Sequence, residues 1–191
     1  GTSTGDVLML DNNSLRLVAK SKKPLGMGVT ALSVHGPTGE LLVGSGTGEL
    51  AILGPQLGRI AERGSSTLLG GLSSVALDAH GEFFFACTLD CNLYLVQYDG
   101  LVAELKGTAH PDPVCDIAFP KGYAECFVTC GGSDVRVWHA RTAAELLRIQ
   151  VPKLHCNCVT FPSHGRAILS GWSDGKVRSF GPQSGSLLYV I

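Results

Sequence analysis

A repeat of 42 or 43 residues restricts the fold of this chain more than any other sequence feature. The first apolar residue after each of five polar turns recurs at separations of 43, 43, 42 and 42, at Val7, Leu50, Leu93, Val135 and Val177. An apolar position in the middle of an earlier strand recurs with separations of 43, 42 and 42 residues, at Leu32, Val75, Ile117 and Val159. Two positions with one period indicate internal repetition. A unit of this length buries its apolar face only by stacking on its neighbours.

Each repeat has the pattern of four short strands. The first alternates polar and apolar residues, as in 29–34 and 114–119, and a turn with glycine or proline follows it. The second is almost continuously apolar, as in 83–86, which predicts burial on both faces. The best candidate for a helix, residues 141–149, is short and is better explained as the fourth strand of its repeat.

Four-stranded units of this length are typical of β-propeller blades, so the sequence predicts an all-β protein. Residues 1–23 would supply the last two strands of one blade, and complete blades would follow at 24–67, 68–108, 109–151 and 152–191. Rings built from repeats of this type usually need about seven blades to close, so we expect an open arc of about four and a half blades in one propeller domain. Such an arc exposes two apolar blade faces, through which we expect self-association. Residues 54–71, and 59–63 in particular, are predicted to form an irregular outer strand with a mobile loop.

Composition restricts the partners and the compartment. The net charge of −1 and the isoelectric point near 6.6 give no electrostatic reason to bind nucleic acid or an anionic membrane. No apolar run approaches the roughly 20 residues of a membrane helix, and no signal segment opens the chain. Seven cysteines without a C-x-x-C pair predict reduced, mostly buried thiols in the cytoplasm. Cys156 and Cys158 would share one face of a strand.

The stretch 131–138, a polar turn and an alternating strand that ends in tryptophan, resembles the WD-repeat family. In that family a histidine, a hydroxyl, a turn aspartate and the tryptophan form a buried hydrogen-bond network. The matching residues here are His110, Thr129, Asp134 and Trp138. Asp90 and Asp174 occupy the turns of neighbouring repeats, where the resemblance implies a structural role. Other repeats depart from the pattern, because Leu53, Val96 and Phe180 stand where tryptophan is expected.

Residues 135–139, 145–152 and 170–178 are similar to a ciliary branch of the WD-repeat family. That resemblance implies two propellers in tandem and a place on the inner wall of doublet microtubules in the axoneme of motile cilia and flagella. It further implies a cytoskeletal scaffold that contacts tubulin and other axonemal proteins, with no cofactor. A cytosolic WD-repeat adaptor in a ligase or trafficking complex is the alternative. The partner-binding residues stay unassigned, because rim side chains resemble any polar surface.

Two patterns suggest catalysis, and both have a simpler explanation. Residues 171–175 match G-x-S-x-G, in which Ser173 would be the nucleophile of a hydrolase. That motif needs a following helix, whereas residues 176–180 alternate like a strand. His110 and Asp134 could form a catalytic dyad, but a satisfied structural pair is the favoured interpretation. The other histidines lack the spacing of metal ligands, so the sequence predicts a protein that is not an enzyme and binds no metal.

Overall fold

A computed structural model describes residues 1–58, 64–163 and 165–191 of the chain. These residues form short antiparallel strands and a single 3-10 turn at Asp99–Leu101, and no helix among them is long and apolar enough to cross a membrane. Residues 59–63, the centre of the predicted mobile loop, lie outside the described part, as does residue 164. The strands are β1 Leu8–Leu10, β2 Leu17–Lys20, β3 Val29–Val34, β4 Leu41–Ser45, β5 Glu49–Leu53, β6 Ser66–Thr67, β7 Leu72–Leu77, β8 Phe83–Thr88, β9 Asn92–Gln97, β10 Ala103–Thr108, β11 Val114–Ala118, β12 Cys126–Gly131, β13 Asp134–His139, β14 Glu145–Gln150, β15 Cys156–Thr160, β16 Ile168–Trp172, β17 Val177–Phe180 and β18 Leu187–Val190.

The strands form four four-stranded sheets and one two-stranded sheet, β1–β2. Each four-stranded sheet is a meander of consecutive antiparallel strands, and we name them blade 1 (β3–β6), blade 2 (β7–β10), blade 3 (β11–β14) and blade 4 (β15–β18). The sheets do not close into a ring. The predicted all-β architecture, an open arc of propeller blades, is therefore confirmed. The limits of the blades within the connecting loops stay a prediction.

The first strand of every complete blade contains a bulge. Its register against the second strand shifts between Val29 and Ala31, and at the corresponding places in β7, β11 and β15. A bulge inserts one residue and so moves the next side chain to the other face. Cys156 is accordingly buried while Cys158 is exposed, and the prediction that they share a face was wrong. Three of the seven cysteines are buried, so the thiols are not mostly buried either.

The apolar core lies in layers between successive sheets. Leu42, Leu50 and Ile52 of blade 1 pack with Phe84 and Val96 of blade 2. Equivalent layers join blade 2 to blade 3, blade 3 to blade 4, and the β1–β2 sheet to blade 1. The second strands β4, β8 and β12 are buried along almost their whole length because both of their faces enter such layers. Each fully buried large side chain contributes about 1.5–3 kcal/mol relative to exposure.

A carboxylate links the innermost strands of three blades. The Oδ1 atom of Asp116 in β11 accepts hydrogen bonds from Ser74 Oγ of blade 2 at 3.0 Å and from the Ile117 amide at 2.9 Å. Its Oδ2 atom accepts one from the Val159 amide of blade 4 at 3.1 Å. Hydrogen bonds to a charged acceptor are stronger than neutral ones, so Asp116 ties the blades together where their sheets converge.

The two end faces of the arc are open, although the β1–β2 sheet covers part of blade 1. Leu32 of blade 1 is 43% exposed, whereas its equivalents Val75, Ile117 and Val159 are at most 8% exposed. On the other end face, Val177 of blade 4 is 40% exposed and its equivalent Val135 is fully buried. Equivalent residues of different blades are therefore buried where a four-stranded blade packs against them and exposed where no such blade does.

The open faces lead to a prediction about association. We expect the chain to form concentration-dependent oligomers in sedimentation velocity, because apolar area of this kind is removed from water by pairing. Val177→Lys, on the open face of blade 4, should shift the distribution towards monomer. Val102→Lys, at an exposed valine in the loop between β9 and β10, is the matched control and should not. A wild-type chain that stays monomeric at high concentration would contradict the prediction.

A second prediction concerns Asp116. Asp116→Ala removes the acceptor of the Ser74 hydroxyl and the Val159 amide, so we expect the free energy of unfolding to fall by about 1–3 kcal/mol. Ser74→Ala should cost less, because the carboxylate keeps its two backbone donors. Urea titration of both variants measures the difference. Equal losses for the two would show that the carboxylate does not join blade 4 to blade 3.

Candidate functional site

A buried polar network lies inside blade 3. His110, in the loop before β11, contacts Thr129 of β12 through Nε2 at 2.7 Å and Asp134, the first residue of β13, through Nδ1. Trp138, four residues further along β13, donates its indole N–H to the Thr129 hydroxyl at 2.7 Å. All four side chains are buried. The structure thus brings together the four residues that the family resemblance singled out.

The hydrogen-bonding capacity of each group shows where the hydrogens of this network lie. The carboxylate of Asp134 only accepts, so Nδ1 of His110 carries the hydrogen that it donates. The Thr129 oxygen accepts from Trp138 and still has its own hydrogen to donate to Nε2 of His110. This pattern of donors and acceptors satisfies every polar group of the network. This arrangement holds the loop, two strands and an aromatic ring in one geometry, and it contains no group left free to attack a substrate.

Charged residues extend the network to the surface of blade 3. Arg136 donates to Asp134 Oδ2 from Nε at 3.1 Å and from Nη2 at 2.8 Å, and to Glu145 Oε2 from Nη1 at 3.2 Å. Exposed Arg148 donates to both oxygens of Glu145, at 2.9 and 2.8 Å. Sequence reasoning missed these residues. Arg136 could have been found, since it lies two residues from Asp134 in a strand and hence on the same face.

The network lowers the pKa of its carboxylates. Burial alone would raise the pKa of Asp134, but hydrogen bonds from His110 and Arg136, together with the electrostatic attraction of both side chains, outweigh burial and hold it below its ordinary value. The pKa of Glu145 is lowered mainly by its hydrogen bonds with Arg148, against a smaller opposing effect of burial. Both groups are therefore ionised at neutral pH.

Two glycines let the His110 loop approach the hairpin. A Cβ on Gly131 would lie 2.7 Å from the Pro113 carbonyl oxygen, and one on Gly132 would lie 2.2 Å from the Asp112 carboxylate. Gly132 also has a φ of +54°, which favours glycine. The pairing of Gly131 with Asp134 makes this hairpin turn short, and the short turn aims the Asp134 side chain at His110.

The other predicted turn aspartates lie in different surroundings. Asp174, in the β16–β17 turn, pairs with Arg178 through two hydrogen bonds of 3.0 and 2.7 Å and accepts from the Lys176 amide. These interactions, Arg178 above all, lower the pKa of Asp174 to about 2. Asp90 is exposed in the β8–β9 turn, and its carboxylate lies so close to Gly70 that a Cβ there would be 2.6 Å away. Neither aspartate meets a histidine as Asp134 does.

Blades 1, 2 and 4 replace the network with other contacts. Leu53, Val96 and Phe180, at the tryptophan position, are all buried in the layers between sheets. In blade 4, Trp172 instead donates its indole N–H to Ser170 at 2.8 Å, and the Arg178 guanidinium lies over its ring at 5.7 Å. The complete network among the described residues is therefore that of blade 3.

Ser173 does not lie in a nucleophile elbow. It is exposed in the hairpin between β16 and β17, so a strand follows it where that motif has a helix. Its hydroxyl oxygen accepts the backbone N–H of His155 at 3.0 Å, which fixes the preceding loop. The geometry supports a structural function for this serine.

Comparison with known proteins agrees with the blade geometry. The model of the WD domain, G-beta repeat, matches residues 148–180, which run from the end of blade 3 to β17. Cilia- and flagella-associated protein 52 of Chlamydomonas reinhardtii is 44% identical over the whole chain. The chain therefore contains a WD repeat. The Homo sapiens protein of the same name is 40% identical, again along all of this chain.

These relatives are much longer than this chain. The chain spans 31% of the length of the Chlamydomonas reinhardtii and Homo sapiens proteins. A more distant relative, WD repeat-containing protein 90 of Xenopus tropicalis, is 28% identical over 60% of the chain and 7% of its own length. The resemblance to the WD-repeat family and to its ciliary branch, predicted from short strings of residues, is confirmed.

The lowered pKa of Asp134 predicts how stability depends on pH. A carboxyl with a lowered pKa in the folded state stabilises the fold above its ordinary value near 4, and the contribution is lost as pH falls through the lowered value. We expect Asp134→Asn to cost about 1–3 kcal/mol in free energy of unfolding at pH 7. The difference from the wild type should shrink below pH 4.

Urea titrations at pH 7 and pH 3 measure this difference, and Asp174→Asn is the matched control. Asp174 is an exposed turn aspartate, so its replacement should cost less than that of Asp134 at pH 7. An Asp134→Asn penalty that does not change between the two pH values would show that the ionised carboxylate is not what stabilises blade 3.

Proposed function

We propose that this chain is part of a non-enzymatic scaffold of ciliary and flagellar axonemes, a WD-repeat platform that acts as a microtubule inner protein. Its partners would be tubulin and other axonemal proteins of the doublet microtubules. The observation that carries the proposal is the identity of 40–44% along the whole chain with cilia- and flagella-associated protein 52 from an alga and from a mammal.

The construction of the blades supports a rigid platform. Successive sheets share apolar layers, the Asp116 carboxylate ties three innermost strands, and the blade 3 network locks a loop to two strands. Hairpin turns between short strands leave two surfaces of loops on such a stack. A stiff surface loses little conformational entropy on binding, which favours stable attachment to a polymer wall.

The alternative is a cytosolic WD-repeat adaptor in a ligase or trafficking complex. The observation in its favour is that the WD domain match is generic to the repeat and says nothing about the cilium. Both functions use the same fold and no catalytic group. They differ in where the protein lies and in which proteins it contacts.

Fractionation of cilia distinguishes the two functions. The tagged protein is expressed in a ciliated cell, and the isolated cilia are extracted first with detergent and then with high salt. We expect it to remain with the doublet microtubules after both steps, because an inner protein is held by many contacts and shielded by the wall. The tag fused to an unrelated cytosolic propeller is the control. Recovery in the detergent-soluble fraction or in the cell body would favour the adaptor.

A further inference from the structure

We propose that three cysteines at the junction of blades 3 and 4 form an oxidation site, at which hydrogen peroxide converts two thiols into a disulfide that joins the two blades. The cysteines are Cys115 of β11, Cys130 of β12 and Cys156 of β15. The inference goes beyond the proposed function and does not depend on it, because it concerns covalent chemistry within the chain and not its location or partners.

Cys130 and Cys156 bring two buried thiols together from opposite sides of the junction. Both side chains are fully buried and belong to the apolar layer between blades 3 and 4. The backbone N–H of Cys156 donates to the carbonyl oxygen of Gly132 at 2.8 Å, which places the start of β15 beside the end of β12. A hydrogen bond between the two thiols is the main reason why the pKa of Cys130 is raised, and burial adds to it. The two sulfur atoms are therefore neighbours across the junction.

Cys115 connects this buried pair to the solvent. It is exposed at the bulge of β11, where the register against β12 shifts between Val114 and Asp116, so it lies beside Cys130. Burial by the surrounding strands raises the pKa of the Cys115 thiol, and the nearby Cys156 thiol raises it further through its electrostatic effect. One exposed and two buried thiols thus form a short path from the surface into the layer between the blades.

The oxidation has three steps. The Cys115 thiolate attacks one oxygen of hydrogen peroxide, the O–O bond breaks, and the products are a sulfenic acid and water. The Cys156 thiol attacks the Cys115 sulfur, which forms an S–S bond and releases a second water. Exchange with the Cys130 thiol then moves the disulfide to Cys130 and Cys156 and returns Cys115 as a thiol. In total, two thiols lose two protons and two electrons, and one peroxide molecule is reduced to two water molecules.

Burial affects both the formation of this disulfide and its persistence. The thiolate is the reactive form, and the raised pKa of Cys115 and Cys130 keeps both thiols protonated at neutral pH, so oxidation is slow there. A disulfide has no charge, so the apolar layer can hold it without the cost of burying an ion. Reductants in solution meet Cys115 at the surface, whereas the Cys130–Cys156 pair is enclosed. The site is therefore slow to oxidise and slow to reduce.

The disulfide would add a covalent link where the two blades share mainly an apolar layer. It would tie β12 of blade 3 to β15 of blade 4 and enclose β13 and β14 in a loop. A closed loop of this kind reduces the number of conformations of the unfolded chain. We therefore expect the midpoint of urea unfolding to rise by about 1 M on oxidation.

The test exposes the whole 191-residue chain, reduced and freed of reductant, to hydrogen peroxide at pH 8 without denaturant. The remaining thiols are blocked with N-ethylmaleimide, and mass spectrometry of a digest without reductant identifies the linked peptides. We expect a link between Cys130 and Cys156, five blocked thiols of the seven, and the higher urea midpoint. A chain that keeps seven free thiols, links other cysteines, or forms this link only in urea would overturn the proposal.

Variants of the chain test the path of the reaction. Cys115→Ser should slow the formation of the link at least tenfold, and because Cys115 is exposed, the serine should leave folding unchanged. Cys158→Ser, at an exposed cysteine beyond the bulge of β15, is the matched control and should react at the rate of the wild type. Cys130→Ala should stop the reaction at a link between Cys115 and Cys156. Equal rates in the wild type and Cys115→Ser would overturn the assignment of Cys115 as the residue that reacts with peroxide.

Discussion

The burial of each sheet face by the next sheet is the interaction on which the rest of this molecule depends. A blade of four short strands has two apolar faces and no core of its own, since its strands are buried only within the layers shared with its neighbours. Removal of apolar area from water supplies the driving force, and it acts between blades rather than within them. Leu32 and Val177 confirm that burial depends on the neighbouring sheet, because each is exposed where its equivalents in the stack are buried.

Polar contacts give this stack a definite geometry. Apolar layers are tolerant of sliding, whereas a hydrogen bond has a short range of distance and angle. Asp116 fixes the spacing of three innermost strands, and the chain of contacts from Trp138 to Arg148 fixes a loop and three strands of blade 3. Both sets are fully paired, which avoids the cost of burying an unpaired charge.

Much of the fold could be predicted from the sequence because its repeat period and strand alternation reflect the stacking directly. The four members of the blade 3 network were found through their resemblance to a family pattern, which the order of His110, Thr129, Asp134 and Trp138 carries. The extension through Glu145 could not be found, because it requires the register of β13 against β14. The face of β15 on which the Cys158 side chain lies was predicted wrongly. The cause is a β-bulge, a backbone feature that the alternation of polar and apolar residues does not reveal.

The layered construction has a consequence for the order in which the chain loses structure. Stability that arises between neighbours is lowest for a unit with one neighbour, so local opening should begin at the ends and proceed inwards. Blade 3 has a four-stranded sheet on each side and holds the complete buried network, and its backbone amides should exchange with solvent most slowly. The β1–β2 sheet and β18, each with an uncovered side, should fray first. Within these 191 residues the most ordered blade therefore lies next to the last blade rather than at the middle of the stack.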